Sequence, residues 1–74
     1  MNPTQSKMAR VALGWSAADL AKAAGVGYAT AARFEAGQTV QPSKVESMRA
    51  ALVKEGIAFE NGGKRAGVSY LRQD

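Results

Sequence analysis

The stretch that most constrains this chain is Ala17 to Ala36, AADLAKAAGVGYATAARFEA. Ala17, Leu20, Ala21 and Ala24 recur at i, i+3, i+4 and i+7, which is one face of a helix. Ser16 stands before them as an N-cap, with Asp19 three residues later at the capping-box spacing. Gly25 ends that helix, because glycine takes the left-handed conformation at little cost. Only Val26 and Gly27 then precede a second helical stretch, Tyr28 to Ala36, which Gly37 closes. Two short helices joined by so tight a turn must cross steeply. Ala21 has to be small where its neighbour passes, and Val26, Ala31 and Phe34 have to plug the wedge between them. The outward face of the later helix is then Tyr28, Ala29, Ala32 and Arg33, a face suited to insertion in a DNA major groove. Arg33 is the strongest candidate reader, since arginine can donate two hydrogen bonds to guanine O6 and N7.

The flanks extend the helical pattern. Met8, Val11, Ala12 and Trp15 share one helical face, with Thr4 as the expected N-cap and Gly14 as the interruption. At this spacing Trp15 reads as core rather than as a platform for stacking bases. After a polar loop from Gln38 to Pro42, Ser43 is the expected cap of a fourth helix, with Glu46 at the capping-box position. Val45, Met48 and Leu52 form its apolar stripe and Gly56 stops it. The period then changes to two. Ile57–Glu60 and Gly67–Leu71 read as a β-hairpin, with Asn61-Gly62 as the turn signal in a glycine-rich loop. The expected fold class is therefore mainly α: a compact four-helix helix-turn-helix domain over residues 1–56, with a C-terminal β-hairpin over 57–74.

The chain has 74 residues, enough for one small domain, and neither cysteine nor histidine. No disulfide framework or thiolate metal site is available, and the commonest metal ligand and neutral-pH acid/base is missing. With no paired carboxylates at a shared site either, enzymatic chemistry, a metal and a cofactor are not expected. Gly62-Gly63-Lys64-Arg65 fails the P-loop spacing and reads as a hairpin tip, with a basic arm touching DNA as the alternative. No apolar run is long enough to span a bilayer, and MNPTQSKMAR lacks a signal-peptide core, so a cytoplasmic, nucleoid-associated protein is expected. The net charge of +4 favours polyanionic partners.

Leu13-Gly14-Trp15-Ser16, Leu20-Ala21, Ala24-Gly25-Val26, Phe34-Glu35 and Gly37 together resemble the Cro/cI-type helix-turn-helix family, over Gln5 to Glu55. The resemblance implies a helical bundle whose third helix reads the major groove of double-stranded DNA, in a regulator that often acts as a dimer. It also implies that Arg10 on the first helix pairs with Glu35 near the end of the third. Three positions depart from the family pattern. Ala17 stands where a phosphate-anchoring glutamine is common, Gly27 where serine or threonine caps the third helix, and Ala31 where isoleucine or valine is usual.

Backbone contacts are expected from Ala17, Gly27 and Thr30, and from the segment after the third helix: Gln38, Thr39, Gln41, Ser43 and Lys44. Lys7 and Lys22 read as ordinary surface charges. A domain with so few phosphate contacts gains affinity as a homodimer, and Val68, Tyr70 and Leu71 of the hairpin are the expected dimerisation element, by edge pairing or side-chain packing. The competing reading is a protein-interaction module of the same fold, an antitoxin-like or accessory partner for which DNA is secondary. Ala17 and the alanines on the outer face of the third helix favour it.

Overall fold

A computed structural model describes residues 1–62 and 65–71. Four helices and a two-stranded antiparallel sheet follow one another in chain order. Helix α1 (Pro3–Ala12) starts earlier than the Thr4 cap would allow. Asn2 Oδ1 accepts the Gln5 N–H at 2.8 Å, and Gln5 Oε1 accepts the Asn2 N–H at 2.9 Å, so a complete capping box precedes Pro3. Proline at the first helical position loses no bond, because its missing N–H would be unpaired there anyway.

The buried face of α1 also differs from the apolar stripe. Gln5, Ser6 and Ala9 are buried, whereas Met8 is 37% and Val11 62% exposed, and Ala12 is exposed. Trp15, beyond the helix, is half-buried against the core. The polar pair wins the inward face because each side chain finds hydrogen-bond partners there, as described below.

Helix α2 (Ala17–Ala24) carries the Ser16/Asp19 capping box, and Gly25 ends it at φ 70°. Val26 N–H reaches back to Ala21 O at 3.0 Å, so the turn satisfies helix-end carbonyls while reversing the chain. Helix α3 (Tyr28–Glu35) follows, with Ala36 as its C-cap and Gly37 at φ 87° beyond it. Helix α4 (Pro42–Lys54) corrects a second cap: Gln41, not Ser43, flanks it, and no side chain caps it. Pro42 is pre-set for the first helical position and holds its predecessor extended. Ser43 lies inside the helix, where its carbonyl accepts the Ser47 hydroxyl, and Glu46 pairs with Arg49 instead.

Strands β1 (Ile57–Gly62) and β2 (Arg65–Tyr70) pair with Ile57 opposite Tyr70, Phe59 opposite Val68 and Gly62 opposite Arg65. The ladder therefore runs through Asn61 and Gly62, which the sequence suggested as a turn. Residues 63 and 64, the centre of the expected basic tip, lie outside the described residues. Gly56 connects α4 to the sheet at φ 100°, and Leu71 N–H closes the open end of the hairpin on Gly56 O at 2.9 Å.

Leu20, Met48 and Leu52 are fully buried, with Phe34 and Ile57 nearly so. Each such side chain contributes about 1.5–3 kcal/mol by leaving water. Ile57, Phe59 and Val68 join the same cluster as the helical residues, so segments on both sides of position 56 build one core. β2 packs on α1, and β1 on the end of α4.

Candidate nucleic-acid interface

Helices α2 and α3 form an elbow whose inner surfaces carry small side chains. Ala21 is 3% exposed and Ala31 is fully buried, with Phe34 filling the space beside them. Alanine at position 31 thus serves close approach of the two helices. With those residues inward, the outer face of α3 is fixed by the helical period. Tyr28 is 60% exposed, Ala29 and Arg33 are exposed, and Ala32 is half-buried. Arg33 folds back along its own helix, where Nε donates to Ala29 O at 3.3 Å. That single exposed bond leaves most of the guanidinium donors free for another partner.

Between α3 and the start of α4 lies an open groove of about 240 Å³. Thr30, Arg33, Thr39, Val40, Gln41 and Lys44 line it. It offers two cations, two hydroxyls and an amide around one apolar side chain, and no carboxylate. Thr30, Arg33, Thr39 and Lys44, expected separately from sequence, therefore converge on one concavity, with Gln41 among them. Gln38 and Ser43 are exposed but do not line it. Val40 was missed, because a lone valine in a polar loop gives no signal until α4 folds back beside α3.

The helix starts differ in electrostatics. Neither α3 nor α4 has a side-chain cap or an acidic residue in its first turn, so the N–H groups of Tyr28 and Ala29, the N–H of Ser43 after Pro42, and both positive dipole ends face an incoming anion. Gly27 sits at the start of α3 and is exposed. The start of α2 is already taken. The Asp19 carboxylate accepts Ser16 N–H at 2.8 Å, while Asp19 N–H donates to the Ser16 hydroxyl oxygen at 3.1 Å. The Ser16 N–H, then the Ser16 hydroxyl and the Lys22 charge, hold the Asp19 carboxyl below the usual carboxylate range. Half-buried Ala17 thus adjoins an anion site filled from within the chain, and it brings no polar side-chain group of its own.

Behind the elbow, Arg10 Nε lies 2.9 and 3.0 Å from the two Glu35 oxygens, and Arg10 Nη1 donates to Trp15 O at 3.2 Å. The pair is largely buried, at 17% and 6% side-chain exposure. Ser6 adds a third bond, its hydroxyl donating to Glu35 Oε2 at 2.9 Å. Ser6 was not expected here, although its i, i+4 spacing from Arg10 puts both on one face of α1. Among the hairpin residues, Val68 is half-buried against the core, while Tyr70 is 41% and Leu71 75% exposed.

Comparison with curated proteins finds no match. A helix-turn-helix family profile matches residues 7–52. That span takes in the α2–α3 elbow, the groove beside it and the Arg10–Glu35 strut that braces α1 against α3. Covering well over half of the chain, the match places this protein in the Cro/cI-type helix-turn-helix family of DNA-binding regulators.

Proposed function

We propose that this protein is a sequence-specific transcriptional repressor of a bacterial or phage genome, working in the cytoplasm as a homodimer with α3 in the major groove. The observation that carries the reading is the groove between α3 and α4, where Arg33 and Lys44 converge with two hydroxyls and no acid. A duplex offers such a surface a row of phosphates beside readable base edges. Tyr28, Ala29, Ala32 and Arg33 face the bases. Small Ala29 and Ala32 let the helix sit deep, and Arg33 supplies directional donors. Thr30, Thr39 and Lys44, with Gln38, Ser43 and the open N–H groups after Gly27, hold the backbone. Occupancy of a promoter then excludes polymerase. In the dimer, Tyr70 and Leu71 supply apolar surface that the monomer leaves exposed, and Val68 anchors their strand to the core.

The test is selection of bound duplexes from a random pool, with the wild-type chain and Arg33→Ala side by side. The wild type should enrich an inverted repeat with half-sites about 34 Å apart. Arg33→Ala should lose preference at one position of each half-site and bind the wild-type motif about 5- to 150-fold more weakly, the range for one bidentate base contact. An identical motif and affinity from the variant would overturn Arg33 as reader. A motif without symmetry would overturn the dimer.

A further inference from the structure

Two polar side chains are fully enclosed in this core, and they are neighbours: Gln5 is 1% exposed and Ser6 0%. Burying an amide without partners costs on the order of 2–7 kcal/mol, so a glutamine persists there only where its polar atoms are answered. Gln5 Oε1 accepts Asn2 N–H at 2.9 Å and completes the α1 cap. Gln5 Nε2 points to the hairpin, 3.3 Å from Glu60 O, 3.3 Å from Asn61 Oδ1 and 3.1 Å from Gly67 O. Glu60 and Gly67 are opposite each other in the ladder, so one side chain ties both strands to α1. Among the described residues, these are the only side-chain hydrogen bonds joining the hairpin to the helices. On the adjoining flank of α1, Ser6 and Arg10 both hold Glu35, the last residue of α3.

We infer that Gln5 is a positioning residue for DNA recognition: it sets the register of the hairpin on α1, and α1 in turn sets α3 through Ser6, Arg10 and Glu35. The inference rests on α3 being the helix that reads DNA. Hydrogen bonds are directional, so this link fixes where β2 lies along α1. An apolar side chain of equal length would fill the same volume and leave the strand free to shift. The hairpin thereby becomes part of the device that aims Arg33, although it stands apart from the α3–α4 groove.

Gln5→Met keeps length and removes both donors, and with them the Oε1 acceptor of the α1 cap, which Asn61→Ala leaves in place. In the full chain without DNA, amide exchange should accelerate about fivefold or more at the α3 amides and the Arg10 Nε–H, with α2 and the α4 core unchanged. A role in overall stability alone would accelerate exchange uniformly across the four helices, and that result, like no change, overturns the inference. Affinity for a duplex carrying the motif enriched by the wild-type chain should fall about fivefold, a hydrogen bond's worth of misplacement. Asn61→Ala removes only the side-chain acceptor of an exposed residue and leaves both backbone acceptors, so it guards against a Gln5 variant that does not fold. It should shift the same signals in the same direction by less, and unchanged signals would count against the link. Arg33→Ala separates the two readings. If it weakens binding while Gln5→Met leaves binding intact, the role of Gln5 falls and α3 stands as reader. If Arg33→Ala itself binds as wild type, the reading assigned to α3 falls and takes the role of Gln5 with it.

Discussion

Arg10→Met should be among the most damaging single changes outside the apolar core. The Glu35 carboxylate, 6% exposed, is held by Arg10 Nε at 2.9 and 3.0 Å and by the Ser6 hydroxyl at 2.9 Å. Methionine keeps most of the volume but leaves the carboxylate with Ser6 alone, and it frees Trp15 O from its 3.2 Å bond. Removing one member of a buried ion pair costs about 3–5 kcal/mol. Arg10 is 17% exposed, so some water can reach the vacated charge, and the lower end of about 3 kcal/mol is expected. A domain of this size has about 4–11 kcal/mol of net stability. The melting temperature should drop by about 12–24 °C. Urea and thermal unfolding, followed by helix circular dichroism and by the fluorescence of the single tryptophan, Trp15, will measure it. The double variant Arg10→Met/Glu35→Met should recover much of the loss, because it removes the orphaned charge as well as its partner. A single variant within about 1 kcal/mol of wild type, or a double variant no better than the single, would refute this reasoning.

Two further outcomes follow from local geometry and electrostatics. Gly56→Ala should cost about 2–4 kcal/mol in urea unfolding, since φ is 100° and the new methyl would lie 2.7 Å from Leu71 O. Gly27→Ala, at φ −71° with nothing nearer than 4.0 Å, should cost less than about 1 kcal/mol, and equal losses would contradict the steric account. Asp19 is held below its ordinary value of 3.8 in the folded chain, so its stabilisation is present above that value and disappears as pH falls through the lower folded value. The melting-temperature advantage of wild type over Asp19→Asn should therefore be constant near neutrality and shrink below about pH 4. A gap independent of pH would exclude the Asp19 charge as its source.

The elbow was legible because its constraints are local. Gly25, Gly37 and the small residues Ala21 and Ala31 declare a tight turn and a close crossing within twenty positions. The face of α1 was not legible, because periodicity weighs apolarity and cannot see hydrogen bonds. Ser6 is buried by a partner 29 residues away, and Gln5 by partners 55 to 62 residues away. The true cap of α1 was present as Asn2 and Gln5 at capping-box spacing with Pro3, a favoured first helical residue, between them, and expecting the cap at Thr4 passes over it. The same oversight at Pro42 displaced the α4 cap to Ser43. Thr30, Arg33, Thr39 and Lys44 could each be nominated from sequence. That they share one groove depends on how α4 returns beside α3, which no local signal encodes.

Helix α3 is eight residues long, with Gly27 at one end and left-handed Gly37 just past the other. At 1.5 Å per residue it is about 12 Å of rod, which spans about three or four base-pair steps of duplex. So brief a word recurs by chance at countless places in any chromosome, so a solitary copy would be dispersed among decoys. On the reading proposed above, a helix bounded by glycine at both margins cannot lengthen its text, and precision of address comes from multiplying the reader rather than from enlarging it.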